Sequence, residues 1–155
     1  MTTPASQPAQ KIVKIPRTLI VDIALTASGA LQPYSLQVPS DMDFEWWWLA
    51  AFRTSNANGG VKVLIAETGV GNRNFIIAGS PQQTLAFQGI LIDNLAGLVS
   101  SNAAFPIAVP YVMPASRIYQ HQFTELSGAP NTVQLAYHGF GLLAVSADAS
   151  SSQAS

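Results

Sequence analysis

Asp43 to Arg53 reads DFEWWWLAAFR and sets all three tryptophans of the chain side by side. In an extended strand successive side chains point to opposite sides. Phe44, Trp46, Trp48, Ala50 and Phe52 then share one face, and Trp47, Leu49 and Ala51 share the other. A core that hides Trp46 and Trp48 leaves Trp47 and Leu49 on a second apolar face. That face needs another sheet, a folded-over loop or another protein molecule to cover it. We expect Trp46 and Trp48 in the core and Trp47 at an inter-sheet or inter-subunit contact; a bulge that shifts the register would exchange the two faces.

Charge favours the second molecule. Only 10% of the 155 residues are charged, where roughly 25% is usual for a soluble domain. Interface cores are depleted in charge and enriched in aromatics, so part of this surface is expected to be subunit contact. The net charge of −1 comes without a basic run, which argues against nucleic acid, because phosphate binding needs clustered positive charge. Lys11, Lys14 and Arg17 are the one basic group, expected on a solvated strand edge or against an acidic neighbour. Cysteine is absent, so disulfides and thiolate metal sites play no part. No stretch approaches the roughly 18 unbroken apolar residues of a membrane span, and the N-terminus lacks the pattern of a secretion signal.

The ends are polar and of low complexity. Residues 1–10 (MTTPASQPAQ) and 146–155 (SADASSSQAS) are expected as flexible arms around a single domain spanning 11–145. Within it the period is that of strands. Ile12–Leu25 is rich in β-branched residues, and Leu31–Val38 alternates up to Pro39. Asn56–Gly60 (NANGG) predicts a hairpin joining the tryptophan strand to Val61–Glu67, because Asn and Gly tolerate positive φ. Thr68–Arg73 is a glycine-bearing turn leading to a strand over Asn74–Ala78. Gln88–Leu98 has apolar residues near helical spacing and predicts one short helix or an extended cover. Phe105–Pro114 carries three prolines, which deny it ladder hydrogen bonds and predict a strap over the domain. Arg117–Leu126 and Thr132–Val145, joined by SGAPN, predict a second hairpin, with Gly139 and Gly141 marking a bulge or a close backbone approach. About seven or eight strands with such turns indicate an all-β fold, an antiparallel β-sandwich or jelly roll.

Catalytic patterns do not emerge. His121 and His138 fall on the strands of the predicted second hairpin and so come near each other, but a metal needs three or four ligands and no acidic residue lies within two positions of either. No serine sits in a Gly-x-Ser-x-Gly elbow. The carboxylates Asp41, Asp43, Glu45, Glu67, Asp93 and Glu125 show no pairing signal for glycoside hydrolysis. Gly69-Val70-Gly71 lacks the third glycine of a dinucleotide fingerprint. No cofactor is expected. Stacking of a tryptophan on a sugar ring is the remaining ligand reading; it requires an exposed Trp47 with polar neighbours, and the aliphatic Leu49, Ala50 and Ala51 beside it argue against that.

From Phe105 to Phe140 the chain resembles small structural proteins of tailed-phage virions. Met113-Pro114 closing a proline-punctuated segment, Ser116-Arg117-Ile118, the turn Ser127-Gly128-Ala129-Pro130-Asn131 and Gly139 carry the likeness, together with Asp43-Phe44. The resemblance implies a jelly-roll or β-sandwich module without catalytic residues, located in the virion as a trimer or other homo-oligomer. Its expected partners are a second copy and the phage major capsid protein, with neither nucleic acid nor membrane. A capsid decoration or cement protein is the leading expectation. A tail, collar or fibre-base component and a carbohydrate or host-surface binding module are the alternatives. Trp47, Leu49, Lys11, Lys14, Arg17, Tyr111 and Met113 are the expected interface residues.

Overall fold

A computed structural model describes residues 10–27, 29–54, 60–68, 73–75, 90–93 and 104–146. Its strands are β1 (Gln10–Leu25), β2 (Leu31–Gln37), β3 (Asp43–Arg53), β4 (Val61–Thr68), β5 (Arg73–Phe75), β6 (Ile90–Leu91), β7 (Phe105–Met113), β8 (Ile118–Glu125) and β9 (Asn131–Ser146). One sheet has the order β1-β9-β3-β7; the other runs β2-β8-β4-β5, with β6 also on β4. Every pairing is antiparallel. The pairs β1–β9, β2–β8, β3–β7 and β4–β5 nest inside one another along the chain. Such a nested ribbon, wrapped so that β9 also meets β3 and β8 also meets β4, is a jelly roll.

The core fills the space between the two sheets. On β8 the alternation is strict, with Tyr119, His121, Phe123 and Glu125 buried and their neighbours partly exposed. On β9 Val133, Leu135 and Tyr137 face them, and Val21 and Leu25 extend the layer along β1. Phe44, Trp46 and Leu49 complete it from β3, while Ile92 enters from just beyond β6. At roughly 25 cal/mol per Å² each of the large aromatics contributes a few kcal/mol by this burial.

Both predicted hairpins are instead corners between sheets. β3 pairs with β9 and β7, whereas β4 belongs to the opposite sheet with β8, β5 and β6. Likewise β8 and β9 lie in different sheets. The same Gly, Asn and Pro chemistry serves a tight turn or a corner, and the buried faces of the strands decide which forms. At these corners Thr54 N donates to the Thr132 carbonyl (3.0 Å) and Leu126 N to the Gly60 carbonyl (3.0 Å), so the two crossings are laced together.

Phe105–Pro114 does not run over the domain as a strap. Its residues form β7, the edge strand beside β3, where prolines are tolerated because one side of the strand is unpaired. The pairing breaks between Trp46↔Tyr111 and Trp48↔Pro106, which leaves Val109 75% exposed. Of the expected helix over Gln88–Leu98, Ile90–Leu91 form β6, and residues 88–89 and 94–98 lie outside the described residues. Most of the NANGG turn and of the glycine loop lies outside them too, as do residues 1–9 and 147–155. Gln10 and Ser146 are the end residues of β1 and β9.

Candidate functional site

The bulge in β3 decides where the tryptophans go. Trp46 stands opposite Gly139 and Trp48 opposite His138, so two steps on β3 match one on β9 and Trp47 is the extra residue. Before the bulge Phe44 and Trp46 face the core; after it Leu49 does, at 1% exposure. Trp48, expected in the core, is therefore turned to the outside of the sheet with Trp47, and Leu49, expected at an interface, is a core residue. Phe52, four residues further along the same outer face, is half exposed.

Gly139 makes room for this arrangement, as a glycine at a close backbone approach should. A Cβ there would collide with the Glu45 carbonyl oxygen and stand 3.1 Å from Phe44 Cζ. The Trp46 indole Nε1 donates to the Trp48 carbonyl oxygen at 2.8 Å, tying the two ends of the bulge together.

Outside the sheet the displaced rings gather with Phe140. Trp47 and Trp48 lie 5.6 Å apart between centroids, and Phe140 meets Trp47 edge-on at 6.4 Å and Trp48 at 6.3 Å. Lys14 Nζ sits over both Trp47 (5.7 Å) and Phe140 (5.9 Å) while donating to Glu45 Oε2 at 2.6 Å. Lys14 holds the Glu45 carboxyl below its usual range. The Trp47 indole N–H adds to that lowering from outside hydrogen-bonding geometry. The second apolar face of the tryptophan strand is thus covered in part by its own sheet: by Phe140 and by the Lys14 ammonium over the Trp47 ring.

Beside these rings an open groove of about 430 Å³ is lined by Pro16, Arg17, Thr18, Trp48, His138, Gly139 and Phe140. His138 Nδ1 and Thr18 Oγ1 share a hydrogen bond of 2.9 Å across the β1–β9 pair. Arg17 is bound to Asp41 at 3.2 Å. His121, predicted near His138, is on the other sheet and fully buried, with its Nδ1 bonded to the Tyr119 carbonyl. A carbonyl only accepts, so Nδ1 carries the proton and Nε2 accepts from the Tyr137 hydroxyl. Its ring stacks on Phe123 at 6.0 Å.

The remaining expected interface residues divide. Lys11 is exposed at the free end of β1. Tyr111 packs against the core and its hydroxyl reaches Glu67 across the sheets at 3.4 Å, while Met113 is a core residue at 2% exposure. Met113 was expected outward because prolines on both sides of it suggested a strap; pairing with Phe44 turns it inward instead. Trp48, Phe140, Thr18 and His138 were not expected to meet. Gly139 opposite a tryptophan run is the signal that could have found them. Among the described residues no group of three or more His, Asp or Glu converges as metal ligands would. No protein-family model matches the chain, and no curated protein matches it.

Proposed function

We propose that this chain is a non-enzymatic structural protein of a tailed-phage virion, a decoration or cement protein that stabilises the head as a homo-oligomer seated on the major capsid protein. The observation that carries the proposal is the free end of the β1–β9 pair. β1 and β9 stay paired from Leu25↔Asn131 out to Gln10↔Ser146, but β3 accompanies β9 only as far as Leu142. Beyond it, among the described residues, Lys11, Ile12 and Val13 pair with Val145, Ala144 and Leu143 as a ribbon of two strands.

Side chains alternate across that ribbon, so Ile12 and Ala144 share one face while Lys11, Val13, Leu143 and Val145 share the other. Ile12 is 54% exposed and Ile15, just inside the ribbon, 36%. A two-stranded ribbon alone is marginal in water, and one with apolar side chains on both faces gains stability from a neighbour. Repetition of this contact on a symmetric shell turns weak attachment into strong attachment. The resemblance of Phe105–Phe140 to virion proteins supports the same reading.

Sedimentation of the full chain alone and with capsids assembled without it tests the proposal. An oligomer that co-sediments with capsids, and loss of both properties in an Ile12→Asp, Leu143→Asp double variant that keeps its far-ultraviolet spectrum, is the expected outcome. A wild-type chain that stays monomeric at high concentration and ignores the capsid overturns it.

A further inference from the structure

We infer that the groove beside Trp48 binds a pyranose ring of a neutral glycan. Three observations converge there. Trp48 and Phe140 provide aromatic surface at 61° to one another, a floor and a wall instead of one flat sheet of rings. A gluco-configured sugar with equatorial hydroxyls presents flat C–H faces that stack on such a floor, and its hydroxyls leave from the rim. At that rim lie Thr18 and His138, which bind each other through Nδ1 and Oγ1; His138 Nε2 has no partner among the described residues. A few fixed polar groups around an apolar floor is the make-up of a small-ligand site, and about 430 Å³ is within the roughly 300–1,000 Å³ such sites span.

The third observation is electrical. The cations at the groove are already engaged: Arg17, one of its lining residues, with Asp41 at 3.2 Å, and Lys14 beside it with Glu45 at 2.6 Å. Each of these cations faces a carboxylate, so neither is left unpaired for an anion, which favours a neutral sugar over a phosphate or a carboxylate. Trp47 stays out of the recognition itself. It packs on Trp48 and lies beneath Lys14, and so buttresses the floor. This site stands apart from the ribbon contact proposed above, and either can fail without the other.

Saturation-transfer NMR of the full chain with cellotetraose and, separately, chitotetraose tests the site. The expected result is saturation of ring C–H protons with at least one of the two, saturable with concentration. Trp48→Ala should weaken binding at least about tenfold and His138→Ala about three- to tenfold, with thermal unfolding midpoints close to wild type. Thr18→Val, which keeps the strand-forming shape, supplies a second variant should Trp48→Ala fail to fold, and should weaken binding two- to fivefold. Absence of saturable transfer from both sugars overturns the proposal, and so does binding that survives in all the folded variants. Inorganic phosphate should leave the signal unchanged; competition by phosphate would show an anion site and equally overturn it.

Discussion

Trp46 donates its indole N–H to the carbonyl oxygen of Trp48 at 2.8 Å, so the first tryptophan of the run holds the third in place while their rings lie on opposite sides of the sheet. A bulge removes regular ladder bonds, and this side-chain donor replaces one of them. Trp46→Phe retains a large ring but loses the donor and leaves a small void in the core. Chemical denaturation should show a loss of about 2–4 kcal/mol. A loss below about 0.5 kcal/mol would mean that the indole bond does not secure the bulge.

Across the pair, Gly139 is the counterpart of that device. The Glu45 carbonyl oxygen occupies the position a Cβ would need, and backbone cannot rotate away as the end of a long side chain can. Gly139→Ala should cost about 3 kcal/mol or more in urea unfolding. It should also change the near-ultraviolet dichroism of the Trp47, Trp48 and Phe140 cluster, because relief of the clash requires β3 to shift. Gly128 gives the control: it has φ of 75° at a corner with nothing within 4 Å of a would-be Cβ, so Gly128→Asn should be milder by a factor of two or more.

These two residues also mark how far the chain could be read. Period-two alternation placed the strands, and the glycine at 139 announced a close approach. Alternation fails after a single inserted residue, however, and nothing local in EWWWLA says that Trp47 is the one left over. Position is fixed by β9, about 90 residues away in sequence, which contributes Gly139 opposite Trp46 and His138 opposite Trp48. The corners differ from hairpins for a related reason. NANGG and SGAPN carry turn chemistry that a hairpin and a sheet-to-sheet crossing use alike, and the difference lies in partners such as β1 for β9. The groove joins β1, β3 and β9, so its residues, far apart in sequence, meet only through the register of those strands.

His121 makes stability depend on pH. Burial lowers its pKa to about 4 from the ordinary 6.5, although its backbone contacts to Tyr119 and Tyr34 oppose that shift. The unfolded chain therefore binds a proton near pH 6.5 that the folded chain refuses until about pH 4. Stability falls as pH drops through that window, levels off below it, and the loss from this one group amounts to about 3 kcal/mol. His121→Gln lacks the titrating ring, so the difference in unfolding free energy between variant and wild type should narrow steadily from pH 7 to pH 4. A difference that stays constant over that range would rule out His121 as the cause.

At the corner between β8 and β9 a buried carboxylate does the work of a turn. Glu125 is 1% exposed; its Oε1 accepts from Ser127 N at 2.7 Å and its Oε2 from Asn131 Nδ2 at 3.0 Å. Asn131 Oδ1 in turn accepts from Thr54 Oγ1 at 3.2 Å, and Thr54 Oγ1 accepts from Thr132 N at 2.9 Å, so the chain of bonds reaches the β3–β4 crossing. Glu125→Ala would remove the acceptor of both the Ser127 N–H and the Asn131 Nδ2, at about 2–4 kcal/mol. Glu125→Gln keeps one acceptor oxygen and should cost about half as much. Because the network laces both corners, Thr54→Ala and Glu125→Ala should combine to less than the sum of their separate losses in a double-mutant cycle. Strict additivity would mean that the two crossings are secured independently and that the bonds through Asn131 transmit nothing between the sheets.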